Sequence, residues 1–299
     1  MVCFVAALQL FLISLMRRRL SLAHGTPPHI SKSQCDVPLP TLEHLCDATS
    51  TEQQVAAAHV FIALVRLTDV LDQHLQQVYE IGRDRSLDTI NLELALNSWV
   101  EGLAGSCRLA VIRGSSLDTP GAPNLRLAYL TTRLLLQRLQ LEAEKQMYGS
   151  QDKRLRNRYM QARRTAEEIL LMLQELQVEQ LSGFWLPVTA FAFPATVSFL
   201  LRCALETESS LADLAQSRPF QTARDIMTTL GSYQKQYDWD LADICLAQHT
   251  EIMDRILAGV AMHEDKSGYA METQDFVMPD VSILDHYFPS LWDPLQNAW

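Results

Sequence analysis

"FWLPVTAFAFPATVSFLL", Phe184 to Leu201, is 18 residues without one charged side chain, and its reading decides the fold. A bilayer core about 30 Å thick is crossed by about 20 apolar residues, so the stretch meets the length criterion for a membrane span. Pro187, Pro194 and the hydroxyls of Thr189, Thr196 and Ser198 count against lipid. A central helix buried on all sides, entered at Pro187 and bent near Pro194, produces the same pattern without a bilayer. The expectation is therefore a core helix in an all-α protein.

The pattern on both sides of this stretch is helical. Toward the C-terminus, helices are expected over Arg218 to Gln236 and Trp239 to Leu257, with Gly259 as the stop of the second. Toward the N-terminus, Leu155, Tyr159, Ala162, Ala166, Ile169, Leu173 and Leu176 alternate steps of four and three, which places them on one stripe. Such a stripe serves either a dimer seam or a domain core, and its two alanines favour the core. Lys153, Arg154, Arg156, Arg158, Arg163 and Arg164 crowd the start of that helix and read as a solvated face.

Asn124, after Pro123, is expected to cap a leucine-dense helix running to about Met147, and the Gly-, Ser- and Pro-rich Gly105 to Asn124 reads as a surface loop. A helix over Leu87 to Leu103 is expected to bury Leu92, Leu96 and Trp99. Before it, Ser50 and Thr51 precede Gln53 and Gln54 by three residues, the spacing of a capping box. Leu64, Leu67, Leu71, Leu75 and Val78 then recur at helical steps, with Gly82 as the stop. No segment alternates as a strand would.

With 48% hydrophobic residues in 299, the chain has material for a sizeable core. A formal net charge of -10 argues against coating a nucleic acid backbone, where affinity comes from neutralised phosphates. The 6 cysteines, at 3, 35, 46, 107, 203 and 245, include no Cys-x-x-Cys and read as free thiols. Met1 to Met16 is apolar, but Arg17, Arg18 and Arg19 follow it, the reverse of a secretory signal; a buried helix is expected there and no membrane anchor.

From His263 the character changes. Glu264, Asp265, Glu272, Asp275, Asp280, Asp285 and Asp293 face one basic residue, Lys266, among Tyr269, Phe276, Tyr287, Phe288, Trp292 and Trp299. Acidic residues keep such a segment solvated while its aromatics dock elsewhere, in a partner or back on the domain. The expected organisation is a helical domain over 1–262 and an acidic aromatic tail over 263–299.

Catalytic patterns are missing from the sequence. It contains no Gly-x-Ser-x-Gly elbow, Gly-rich phosphate loop or His-Glu-x-x-His, so no enzyme is expected, and no catalytic, cofactor-binding or metal-ligating residue is assigned. Two local sets come nearest to a chemical site. Cys245 and His249 lie one helical turn apart, where two ligands alone do not make a zinc site. Glu43, His44 and Cys46 suggest a Cys-His nucleophile but offer no identifiable third group.

One resemblance stands beside these readings. Arg18, Leu20, Ser21, Leu22, Gly25, Pro27, Ile30, Asp36, Val37, Pro38, Leu39 and Pro40 follow the order and spacing of a loop in the regulatory middle homology domain of fungal zinc-cluster transcription factors. Leu92, Leu96 and Trp99, then Leu127 and Tyr129, the Pro194 helix, and Trp239 and Ala242 are similar to that domain more loosely. Arg17 and Thr26 depart from the pattern, where the family carries an acidic residue and an arginine. The resemblance implies an all-α fold, a nuclear role, control of RNA polymerase II genes, and homo- or heterodimers. Separately, the acidic aromatic composition of 263–299 is that of activation segments, from which contact with the transcription machinery is expected. The family's DNA-reading module holds zinc on six closely spaced cysteines, and nothing like it occurs in these 299 residues. The expectation is a gene model truncated inside the regulatory domain, or a regulator that reaches DNA only through a missing module or a partner.

Overall fold

The computed structural model describes residues 39–79, 89–148, 153–208 and 210–266. Met1 to Met16, the resemblance-bearing loop up to Pro38, Gly82 and the residues from 267 on lie outside them. Among the described residues the fold is all-α, as expected. Its helices are α1 (Leu42–Leu45), α2 (Glu52–Tyr79), α3 (Thr89–Glu101), α4 (Gly105–Arg113), α5 (Ala122–Tyr148), α6 (Lys153–Glu175), α7 (Val178–Leu181), α8 (Ala192–Thr207), α9 (Leu211–Gln216), α10 (Arg218–Tyr237) and α11 (Asp243–Lys266). Two 3-10 turns, Pro187–Phe191 and Asp240–Ala242, lead into α8 and α11.

Two hydrophobic clusters share α5 as a common wall. Leu127, Leu130, Leu134 and Leu141 face a cluster built with α6 to α11. Leu125, Ala128, Leu135, Leu136 and Leu139 face the other, built with α2, α3 and α4. A helix apolar on two sides has to be sandwiched, because an exposed leucine face forfeits about 1.5–3 kcal/mol per side chain.

Phe184 itself is exposed, Leu186 and Val188 form a small cluster of their own with Phe191, and Trp185 and the residues from Ala192 on pack into the first cluster. Phe193, Val197, Leu200 and Ala204 are all 0% exposed, and Asn124 holds the entry. Its Nδ2 donates to the Phe184 carbonyl, and its Oδ1 accepts from the Leu186 N–H, each at 2.8 Å. Asn124 was expected as a helix cap; it sits inside α5 and uses its amide on a distant backbone instead. The single helix bent near Pro194 is also corrected. Pro187 opens a 3-10 turn, α8 begins at Ala192, and Pro194 falls in its first turn, where no intrahelical N–H bond is lost. Two helical segments, Glu52–Gln76 and Pro187–Thr207, are long and apolar enough to cross a bilayer by length and composition; 72% of the second's apolar window is buried in the fold.

The stripe on α6 is consumed within the chain. Leu155, Ala162, Ala166, Ile169, Leu173 and Leu176 are buried in the first cluster, so this face is domain core and no dimer seam. α5 and α6 run antiparallel: Arg133 reaches Thr165 at 3.0 Å, while Glu144, further along α5, pairs with Arg158, earlier on α6, at 2.9 Å. Of the basic cluster, Arg156 and Arg164 are exposed. Arg158 and Arg163 are partly buried beside Glu144 and Glu167, so the solvated face holds only in part.

One local expectation holds, and two others are corrected. Thr51 and Gln54 form the capping box of α2: the Thr51 N–H donates to Gln54 Oε1 at 2.8 Å, and the Gln54 N–H donates to Thr51 Oγ1 at 3.3 Å. The expected loop over 105–124 contains α4, which buries Cys107, Ala110 and Val111 along one edge. Gly259 lies within α11, which continues to Lys266. A Cβ at Gly259 would stand 3.1 Å from Leu211 Cδ1, so this glycine admits α9 rather than ending a helix.

The end of α4 combines two constraints. Gly114 closes it in the left-handed region (φ 69°), its N–H donating to the Ala110 carbonyl at 3.1 Å. Arg126 of α5, 7% exposed, donates from Nη1 to the Ala110 and Val111 carbonyls at 2.9 and 3.0 Å, placing a cation on the negative end of the helix. A Cβ at Gly114 would lie 2.8 Å from Arg126 Cζ. Gly114→Ala is therefore expected to lower unfolding free energy by about 1–3 kcal/mol in urea titration. Gly102→Ala, whose Cβ meets only ordinary contacts, should stay within about 0.5 kcal/mol.

Candidate functional groove

α10 forms because Ser217 caps it, its hydroxyl accepting from the Phe220 N–H at 3.4 Å, and Pro219 occupies the first turn. Phe220, Ala223, Ile226 and Leu230 recur on the buried face. The helix stops at Asp238, left-handed at φ 53°, and the chain turns through Asp240–Ala242 into α11. Gln234 Nε2 donates to Asp243 Oδ1, which ties the end of α10 to the start of α11 and makes the pair antiparallel.

Trp239 fixes this corner. Its ring meets Trp185 edge-on at 5.4 Å, Tyr233 edge-on at 5.8 Å and Phe193 at 5.7 Å. The four rings join the α10–α11 turn to the entry of α8, and such pairs contribute about 0.5–1.5 kcal/mol each beyond their buried area. Trp239 and Ala242, singled out in the sequence, are both buried here.

On the outer side, α10 and α11 diverge around a groove of about 500 Å³. Met227, Leu246, Met253 and Leu257 supply apolar surface, and Arg224, Lys235, Gln236 and Asp254 supply the charged and amide groups. The hydroxyls of Thr228, Ser232 and Thr250 donate to carbonyls of their own helices at 2.9, 2.9 and 2.7 Å, so little donor capacity from them faces the groove. Gly231 sits mid-helix in its wall. An added Cβ would lie 4.0 Å from Leu246 Cδ2, an ordinary contact, so packing does not demand glycine there. Its effect is to leave the groove open at a helix cost of about 1 kcal/mol relative to alanine.

Behind Met227 lie Cys245 and His249, one helical turn apart. The Cys245 thiol points at Met227 Sδ, 3.7 Å away, and burial pushes its pKa far up, so it is a packed thiol and no nucleophile. His249, also fully buried, places Nδ1 3.0 Å from the Cys245 carbonyl and Nε2 3.0 Å from Ser198 Oγ. The carbonyl only accepts, so Nδ1 carries the proton and Ser198 donates to Nε2. Among the described residues, no three His, Cys, Asp or Glu side chains gather as a metal site.

Of Glu43, His44 and Cys46, His44 joins the capping box of α1, its Nδ1 accepting from the Thr41 N–H at 3.2 Å. Cys46 Sγ lies 4.0 Å from the Gln54 carbonyl. Cys46, Cys107, Cys203 and Cys245 are free thiols, as expected, and Cys3 and Cys35 lie outside the described residues. Compared with protein-family models, curated proteins and solved structures, the chain matches none. The groove residues were not foreseen. The sequence feature that marks them is Gly231, a glycine in mid-helix with no turn around it.

His249 makes stability depend on pH. Burial lowers its pKa from 6.5 to about 4, so the unfolded chain binds the proton first. This contribution is intact above pH 6.5, is lost as pH falls toward 4, and is worth about 3 kcal/mol at most. His74 is shifted in the same direction by burial, so the comparison is with His249→Gln. Urea titrations at neutral pH and near pH 4.5 should show the variant losing less stability than the parent, by about 2 kcal/mol.

Proposed function

We propose that this chain is the helical regulatory domain of a transcription regulator of RNA polymerase II genes, and that it works by binding rather than by bond chemistry. The observation that carries the binding part is the groove between α10 and α11, apolar within and polar at its margin, on an all-α scaffold. Grooves of this kind take the apolar face of a peptide or helix. The transcriptional part rests on the sequence order and spacing of the residues from Arg18 to Pro40 and their resemblance to the fungal regulatory domain. That resemblance carries with it a nuclear location and a dimeric partner, and the acidic, aromatic composition of 263–299 supports recruitment of the transcription machinery.

A second reading is favoured by one sequence fact: no Cys-x-x-Cys lies in these 299 residues. A helical scaffold without transcriptional activity of its own would compete with full-length relatives for shared partners. Tethering separates the two. The full chain, fused to a foreign DNA-binding domain, should change expression of a reporter carrying that domain's site, and 263–299 fused alone should raise it. Expressed fusions that leave the reporter unchanged would remove the transcriptional reading and leave the scaffold.

A further inference from the structure

The groove between α10 and α11 stands at the exit of the described chain. α11 ends at Lys266, and its groove-lining residues run from Leu257 back to Leu246. At 1.5 Å per helical residue these lie about 13 and 30 Å from the helix end, which about four to nine residues of extended chain span. Ser267 and Gly268 come next, a pair suited to a chain reversal, and then Met271, Phe276, Val277 and Met278 within ten residues.

Charge points the same way. Residues 267–299 carry the carboxylates of Glu272, Asp275, Asp280, Asp285 and Asp293 and no Lys or Arg. The groove margin carries the exposed Arg224 and Lys235 against Asp254. Because α10 and α11 are antiparallel, Arg224 lies at the Leu257 end and Lys235 at the Leu246 end, so a segment leaving Lys266 and doubling back passes the arginine first.

We propose that residues 269–278 occupy the groove between α10 and α11 of their own chain, with Phe276 seated on Met227 and Met253. Tethering makes this docking intramolecular, with an effective concentration on the order of millimolar, so a weak intrinsic fit fills the site. A partner using the groove then has to displace the segment, which links exposure of the acidic tail to occupation of the groove. The inference does not depend on the transcriptional reading, and its test does not report on it.

The test uses the full chain with a benzophenone amino acid in place of Phe276, irradiated at low protein concentration and mapped by peptide mass spectrometry. Benzophenone radicals insert preferentially at methionine, and Met227 and Met253 are in the groove. Cross-links within one chain to either methionine are expected. Arg224→Glu, on the surface, should lower their yield about fivefold by placing like charge beside Glu272. Gly231→Leu, which fills the groove, should lower it further while helical circular dichroism is unchanged. Cross-links between two chains, cross-links confined to other helices, or a yield that Arg224→Glu leaves unaltered would each overturn the proposal.

Discussion

The structure depends on one helix having to satisfy three environments at once. α5 offers Leu127, Leu130, Leu134 and Leu141 to one cluster and Leu125, Ala128, Leu135, Leu136 and Leu139 to the other. Between them runs a polar edge of Tyr129, Arg133, Gln137, Gln140 and Glu144 at steps of four, four, three and four. Rotating α5 by even one residue, about 100°, would put leucine against water and a guanidinium against leucine. That constraint sets where α2 to α4 lie on one side and α6 to α11 on the other.

The polar edge also fixes register. Arg133 contacts Thr165 and Glu168 and lies over the Tyr129 ring, which stacks on Trp99. Gln137 accepts from Thr165 at 2.8 Å, and Gln140 bridges Glu93 of α3 and Arg158 of α6 at 2.8 and 3.1 Å. Apolar stripes slide at modest cost, whereas a shifted hydrogen-bonded network strands partly buried charges, which costs several kcal/mol. The network therefore selects one alignment of α3, α5 and α6 from those the leucines alone allow.

The groove follows from how the last two helices are fastened. Their inner faces are committed to α8, and Trp239 with its three aromatic neighbours holds the corner between them. Above that corner no third described helix covers the outer edges, and Gly231 contributes no side chain to close them. The buried Cys245 and His249, with the partly buried Ser198, lie beneath, where burial holds the thiol protonated and the imidazole neutral. Their role is to support the floor, and the open surface above it is what is left for recognition.

Much of this was legible in the residue order. The period-3.6 placement of leucines, the Thr51–Gln54 spacing, the stripe from Leu155 to Leu176 and the uncharged run after Phe184 each report local geometry, and local geometry is what spacing encodes. The failures share one cause. Gly105–Arg113 looked like loop because it runs into the Gly-, Ser- and Pro-rich residues up to Asn124, yet Cys107, Ala110 and Val111 find a wall on α5. Asn124 looked like a cap until Phe184 and Leu186 offered backbone groups. Gly259 looked like a stop, although its missing side chain makes room for Leu211. By itself the sequence determined that the chain is helical and which faces are apolar, because both follow from neighbours within two turns. The tertiary structure alone decided which face meets which, where an amide or a glycine is used across sixty residues, and that two helices part to leave a groove, because those outcomes depend on groups that only folding brings together.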